Sequence, residues 1–137
     1  MLCSHPIASV MTTAAAFVRV FVDASYRGGM ASLAAVILIP GCKPHVVWRP
    51  PRRVPSSAAA ERRALYWGDR KGRQRQRRLE RRVPLRQPTI IYGDNQHQAW
   101  AMQERNASHN TIFRWISRHH PMMRLAHRAA RHAFKGL

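Results

Sequence analysis

Acidic residues are scarce in this chain: only six of its 137 residues are Asp or Glu, against 24 Lys and Arg. The formal net charge is therefore +18, and a field of that sign concentrates polyanions. All but three of the cations are arginine, whose guanidinium group suits bidentate contact with phosphate. This excess predicts nucleic acid as the first partner to consider, although a bias toward GC-rich codons would also enrich Arg and Ala.

Cysteines and long apolar runs are scarce as well. Two cysteines, Cys3 and Cys42, cannot by themselves build a disulfide framework or a zinc site, so we expect a reducing, intracellular compartment, nuclear or cytoplasmic. No apolar run reaches the roughly 18 residues that span a bilayer, and we expect no membrane partner. The first Arg is Arg19, so the start lacks the basic region of a secretory signal, and we interpret residues 1–16 as a flexible leader.

Five stretches have the β-branched and aromatic composition of strands. The first three follow one another closely, with a turn at Gly28 and Gly29, and they predict an antiparallel meander that Pro50 and Pro51 would end. Two further strands alternate with helices, so we predict one α/β domain over 17–137, a five-stranded mixed sheet with flanking helices. The predicted strands are 17–24, 31–39, 44–49, 89–92 and 111–116.

Capping residues and apolar spacing predict three helices. Ser56 or Ser57 would cap the first, and Gly68 and Gly72 are expected to weaken its middle. The second would run from about 95 to 104, and Pro121 suits the first position of the third. The third helix carries a predicted apolar stripe of Met122, Leu125, Ala126, Ala129 and Ala133.

An Arg-rich segment, residues 70–86, carries nine basic residues and almost no apolar ones. Such a segment cannot be a core helix, and we interpret it as an insertion, either a solvated helical extension or a mobile basic loop. It would bind phosphate or be solvated padding. The predicted phosphate-binding residues are Arg73, Arg75, Arg77 and Arg78.

Three of the six acids lie at unusual positions. Asp23 lies within an apolar strand, Asp94 ends another, and Glu61 lies in the first turn of a helix. A carboxylate in a sheet costs free energy unless an Arg or a divalent metal ion pairs with it. If the strands of Asp23 and Asp94 are neighbours, the carboxylates meet and bind hard cations through oxygen. With Glu61 they would hold two ions, an arrangement suited to in-line attack on a phosphodiester.

These stretches together resemble the ribonuclease H domain, both the type 1 cellular form and the retroelement form. The resemblance covers 17–134 and rests on the segments VRVFVDASYRGGMASLAAVILIPG, SSAAAERRAL, TIIYGDNQHQAW, FRWISRH and RLAHRAARHA. It implies a ribonuclease H-like fold and an endonuclease that hydrolyses the RNA strand of RNA–DNA hybrids with two Mg²⁺ or Mn²⁺ ions. It also implies that Asp23, Glu61 and Asp94 are catalytic metal ligands. His119, in a Trp-x-x-x-His segment, would assist proton transfer or product release.

The resemblance breaks at the fourth metal-ligand position. The family has an aspartate in an Ala-Asp-x-x-Ala pattern, and this chain has His127 there, as some retroelement members are reported to have. An imidazole can still ligate a divalent ion, but it removes a negative charge, and Mn²⁺ would then suit the site better than Mg²⁺. Fewer residues separate Asp94 from His127 than separate the corresponding positions in the family. The basic handle that the family often has between them is missing, and the segment 70–86 would substitute for it.

Two other functions stay open on these residues. In the first alternative, which His127 favours, the chain is a decayed, non-catalytic nucleic-acid-binding module of the same fold. In the second, it is a basic RNA-packaging or ribosome-associated protein, a class that the well-formed apolar strands disfavour.

Overall fold

The computed structural model describes residues 17–80, 86–106 and 111–135, so the predicted leader, 1–16, lies outside them. The elements follow the predicted order β-β-β-α-β-α-β-α. None of the helices in the described part of the chain has the length and apolar character needed to cross a membrane. The strands are β1 (Phe17–Arg27), β2 (Met30–Leu38), β3 (His45–Arg53), β4 (Arg86–Gly93) and β5 (Thr111–Trp115), and the helices are α1 (Ser57–Glu80), α2 (Gln96–Arg105) and α3 (Pro121–Lys135).

The five strands form one mixed sheet in the order β3-β2-β1-β4-β5. Strands β1, β2 and β3 pair antiparallel, whereas β4 pairs parallel with both β1 and β5. Gly28 and Gly29, at φ 58° and 76°, form the tight β1–β2 turn, a backbone conformation that costs glycine little. The predicted fold class, with its meander and its two parallel strands, is confirmed.

Helices cover both faces of the sheet. Alternate residues of β1, namely Val18, Val20 and Val22, are buried in a core that α1 and α2 complete. Phe21, one position out of phase, packs on the opposite face against Met123 of α3. Since residues at odd positions of β1 point toward α3, Asp23 belongs to that face.

The third strand is longer than predicted. Pro50 and Pro51 do not end it, because β3 lies at the edge of the sheet, where a missing N–H removes few ladder hydrogen bonds. The register shifts between Ala31 and Leu33 of β2, opposite the two prolines, so β3 accommodates them in a bulge. The strand then continues to Arg53.

The first helix also differs from the prediction. Residues 70–80 of the basic segment are helical, one of the two forms expected for it, but they continue α1 without a break and pack on the sheet; residues 81–85 lie outside the described residues. Gly68 and Gly72 are buried against β1: a Cβ on Gly68 would lie 2.2 Å from Val22 Cγ1, and one on Gly72 would lie 2.8 Å from Val20 Cγ2. The glycines therefore let helix and strand approach closely, a benefit that outweighs their low helix propensity.

The buried stripe of α3 differs by about one position from the predicted one. Met122, Leu125 and Ala129 are only partly buried and flank the stripe. The prediction was wrong at these positions because apolar residues occur next to one another along α3, and spacing alone did not distinguish the two possible faces. The buried residues are Met123, Ala126, Ala130 and Ala133.

Candidate active site

Asp23 is brought beside β4 by the register of the sheet. The last β1–β4 register pair is Phe21 with Tyr92, so Asp23 and Asp94 each lie two residues beyond it. Asp23 is only 3% exposed. Burial, followed by the charge of Asp94, raises the pKa of Asp23 to about 6, although hydrogen bonds from His127 and the Ala24 backbone lower it in part.

Asp94 follows β4 directly, where the chain leaves the sheet to enter α2. Asn95 caps that helix, because its side chain accepts a hydrogen bond from the Gln98 N–H at 3.0 Å. The indole Nε1–H of Trp115 donates to the Asp94 carbonyl oxygen at 3.2 Å, which ties the end of β5 to this turn. Both contacts hold Asp94 beside the end of β1.

Glu61, on α1, lies at the same end of the sheet as Asp23 and Asp94. Ser56 caps this helix by accepting a hydrogen bond from the Ala59 N–H at 3.1 Å, which confirms one of the two predicted caps. Glu61 is partly buried and lies just past the first turn of α1, not within it as predicted, because the helix already begins at Ser57. Burial, and then the charges of Asp23 and Asp94, raise the pKa of Glu61 to about 8.

These three residues form the carboxylate cluster, in which one oxygen from each lies within 4.8 Å of the others. Without a cation, three carboxylates at such distances repel one another, and this repulsion adds to burial in raising the pKa values of Asp23 and Glu61. Oxygen ligands in this number are what Mg²⁺ and Mn²⁺ prefer. The residues therefore fit one or two hard divalent cations.

His127 lies against the cluster without belonging to it. Its Nδ1–H donates to Asp23 Oδ2 at 2.8 Å, while the rest of the ring is exposed. The structure therefore places the predicted ligand His127 as a hydrogen-bond partner of Asp23, and ligation of a metal by its ring stays a prediction. The helix that carries His127 is held against β1 by His120, at the start of α3, which stacks on Phe21 with ring centroids 5.1 Å apart.

A cavity of about 460 Å³ opens over Asp23, Glu61 and Asp94. His119 lines this cavity and an adjoining one of about 450 Å³, and its side chain is exposed. Sequence reasoning missed three cations on the rim. Two of them lie four residues apart on α3, a spacing that places them on one side of the helix and could have revealed them. The cations are Arg118, Arg124 and Arg128.

This chain is similar to known proteins in structure and not in sequence. No family model and no curated protein matches the sequence. The N-terminal RNase H domain of a Mycobacterium tuberculosis protein superposes with a TM-score of 0.65 at 16% identity, covering 88% of this chain and 95% of that one. LC11-RNase H1, isolated from compost by a metagenomic approach, superposes with a TM-score of 0.62 at 11% identity, covering 88% and 97%. The chain has a ribonuclease H-like fold.

A further structure of LC11-RNase H1, in complex with an RNA/DNA hybrid, is also similar to this ribonuclease H-like chain. Its TM-score is 0.55 at 16% identity, and the alignment covers 74% of this chain and 86% of that one. The predicted resemblance is confirmed at the level of the fold. At these identities the likeness carries no residue roles, so those rest on the geometry of the site.

The four arginines predicted to bind phosphate are spread around the far half of α1 in this ribonuclease H-like fold. Arg73 bonds Asp69 Oδ1 at 2.9 Å and also contacts Thr111. Arg75 is partly buried on the other flank, whereas Arg77 and Arg78 are exposed. At 1.5 Å per residue, the four begin about 18 Å from Glu61 along the helix axis, so they do not line the cavity over the cluster.

Proposed function

We propose that this protein is an endonuclease that hydrolyses the RNA strand of RNA–DNA hybrids by two-metal-ion catalysis. One observation carries the proposal: three carboxylates from separate parts of the chain meet within 4.8 Å at one end of the central strands of a ribonuclease H-like sheet. In a chain with six acids and a net charge of +18, cations are abundant, yet none of the described arginines forms an ion pair with these three. An acidic cluster without an arginine partner among the described residues favours, in such a chain, a site for metal ions over a structural role.

The metal would be held by Asp23, Glu61 and Asp94. Bound there, divalent cations would neutralise the three carboxylates, lower the pKa of water and stabilise negative charge on the phosphodiester. Arg118, Arg124 and Arg128 surround the cavity and would attract the phosphate backbone toward the cluster.

Two histidines would act beside these carboxylates. His119, exposed on the rim, would move a proton between the cavity and solvent or assist release of the product. His127 would hold the Asp23 side chain through its 2.8 Å hydrogen bond. A retroelement origin remains part of the proposal and rests on the histidine at position 127.

The second candidate is a non-catalytic nucleic-acid-binding module. It is favoured by His127, which offers the cluster an imidazole where a fourth carboxylate would have increased its affinity for Mg²⁺. Both candidates predict binding to RNA–DNA hybrids, and only the first predicts cleavage.

The proposal is tested by incubating the purified protein with a labelled RNA–DNA hybrid, separately in Mg²⁺ and in Mn²⁺, and measuring cleavage. We expect the RNA strand of the hybrid to be cut, and single-stranded RNA and duplex DNA to stay intact. Asp94→Asn should reduce the rate by at least about 100-fold, because it removes a charge from the cluster. Glu104→Gln is the matched control, since this exposed α2 carboxylate lies outside the cluster.

The two candidates separate in the same experiment. Hybrid binding without cleavage in either metal would establish the binding module and refute the nuclease. Equal rates for Asp94→Asn and the parent protein would show that the activity comes from a contaminant or from another site.

A further inference from the structure

A second basic surface lies between α1 and the edge strand β3, separate from the carboxylate cluster. The α1 residues on this flank repeat at i, i+7, i+8, i+12 and i+15, which places them on one side of the helix. Residues of β3 line the other side. We call this surface the α1–β3 groove, formed by Arg63, Arg70, Lys71, Arg75 and Arg78 of α1 with His45, Arg49 and Arg52 of β3.

No acid within the described part of the groove neutralises these cations. Three of the described carboxylates form the cluster, and Asp69 is bonded to Arg73 on the opposite flank of α1. The electrostatic neighbours of Arg49 are the guanidinium groups of Arg52, Arg63 and Arg70. Like charges are thus held together along the groove, an arrangement that is unfavourable until an anion binds.

Some hydrogen-bond donors in the groove find no acceptor among the described residues. Nε and one terminal nitrogen of Arg49 are buried there without a hydrogen-bond partner, and so is Nε of Arg75. Buried donors of this kind cost free energy, and native proteins normally satisfy them. Burial, and then the three neighbouring guanidinium groups, lower the pKa of Arg49. Phosphate oxygens would accept from these donors and offset the repulsion.

We propose that the α1–β3 groove binds the phosphate backbone of duplex nucleic acid, independently of the carboxylate cluster. From Arg63 to Arg78 the α1 row is about 22 Å long, at 1.5 Å per residue. Each strand of a duplex presents one phosphate about every 3.4 Å along the helix axis, so a row of this length parallel to the axis spans about six phosphates. A linear row of arginines beside a groove suits one backbone strand better than it suits a planar membrane surface.

The groove begins beside the carboxylate cluster and leads away from it. Arg63 is two residues beyond Glu61, and Arg78 lies about 26 Å from Glu61 along the helix axis. A bound duplex would therefore contact the groove over a length that the cavity does not cover. This binding would depend neither on base sequence nor on cleavage.

The test is the salt dependence of binding to a labelled DNA duplex, measured by fluorescence anisotropy in EDTA. The groove variant is Arg63→Gln/Arg70→Gln/Arg78→Gln, three exposed positions whose change should spare the fold. The control is Arg19→Gln/Arg105→Gln/Lys135→Gln, which removes the same charge from exposed positions elsewhere. Circular dichroism melting of both variants verifies that they are folded.

We expect the groove variant to bind at least about tenfold more weakly and to have a salt slope flatter by about 2.7, at roughly 0.9 per phosphate contact. The control should stay within about threefold of the parent. Equal losses in both variants would overturn the proposal, because they would make binding a property of net charge, and so would no loss in either. Selective loss of binding to phosphatidylserine vesicles or polyglutamate, with DNA binding kept, would overturn it in favour of another partner.

The inference and the proposed nuclease fail separately. Asp94→Asn should lose cleavage and keep groove-dependent DNA binding. Groove-dependent binding in a protein that never cleaves a hybrid would leave the groove proposal standing and refute the nuclease.

Discussion

The side chain at position 127 acts on the cluster through Asp23, and this contact defines how it can be tested. A histidine that donates to a metal-binding carboxylate orients that carboxylate and lowers its pKa. Replacing it with aspartate exchanges a hydrogen-bond donor for a carboxylate beside a buried acid.

We expect His127→Asp to raise Mg²⁺-dependent cleavage severalfold and to reduce the preference for Mn²⁺, since Mg²⁺ prefers oxygen ligands. His127→Ala should lower cleavage in both metals by about tenfold, the usual cost of losing a group that orients a ligand. Initial rates in each metal, at saturating hybrid, measure both effects. Rates equal to the parent in both variants would show that His127 neither ligates metal nor orients Asp23.

Glu61 predicts a pH dependence of stability in the metal-free protein. Its pKa is raised from 4.5 to about 8, so the folded state binds a proton more tightly than the unfolded state. The resulting stabilisation is complete below the unfolded value and is lost as pH rises through about 8. In EDTA, the Tm of the parent should fall by a few degrees relative to Glu61→Gln between about pH 5 and about pH 9.

Mg²⁺ should reverse this trend, because metal binding requires the deprotonated carboxylates. Thermal melts of the two proteins across pH, with and without Mg²⁺, measure the difference. The comparison with Glu61→Gln cancels the titration of the histidines. Parallel curves for the two proteins would contradict the raised pKa.

At the residue scale, the sequence predicted the acids and missed their surroundings. Asp23 and Asp94 were predictable because Asp23 interrupts an apolar strand and Asp94 ends another, and the structure pairs the two strands. The contact of His127 with Asp23 and the position of Arg118 were not, because both depend on how α3 and the chain before it pack on β1.

Among the elements, α1 shows how tertiary packing outweighs local propensity. Its glycines and its arginines both argued against a long packed helix, yet the helix is continuous because the glycines fit the valine side chains of β1. Sequence alone does not reveal which strand lies beneath a helix, so it could not distinguish a weakness from a close contact. The antiparallel pairing of β1, β2 and β3 was predictable because it follows from short connections and apolar composition.

We expect Gly68→Ala to destabilise the protein by about 1–3 kcal/mol, although alanine is the better helix former. Its Cβ would lie 2.2 Å from Val22 Cγ1, and a buried β-branched valine has little freedom to move. Urea denaturation measures the change. Gly72→Ala, with a contact of 2.8 Å, should cost less.

Val22→Ala in the Gly68→Ala background provides the check on that mechanism. Removing the clashing methyl groups should recover part of the loss, so the two changes should be non-additive. Additive losses, or a Gly68→Ala protein as stable as the parent, would refute the close-contact explanation.

The whole molecule carries its +18 charge unevenly, and this affects how the basic segment of α1 should behave. We expect Arg73→Gln/Arg75→Gln/Arg77→Gln/Arg78→Gln to weaken hybrid binding and to flatten its salt slope by about 2.7 rather than about 3.6. The difference arises because Arg73 is held by Asp69 and Thr111. Anisotropy titrations of a labelled hybrid in EDTA over a range of KCl concentrations measure the slope.

Arg73→Gln alone is the internal control and should leave the slope unchanged. A slope that stays at the parent value in the fourfold variant would show that the segment is solvated padding. A salt slope that is flatter than the parent's in Arg73→Gln alone would show that the Arg73–Asp69 ion pair opens on binding.

The proline bulge of β3 has a consequence for colloidal behaviour. An open sheet has two edges, and an edge strand with free N–H and C=O groups is a template for the strand of another molecule. Along β3, two consecutive residues have no N–H to offer, and the arginines around them repel a second copy of the same strand. The prolines that β3 accommodates, together with the arginines around them, thus also protect this five-stranded sheet from growing into intermolecular fibres at that edge.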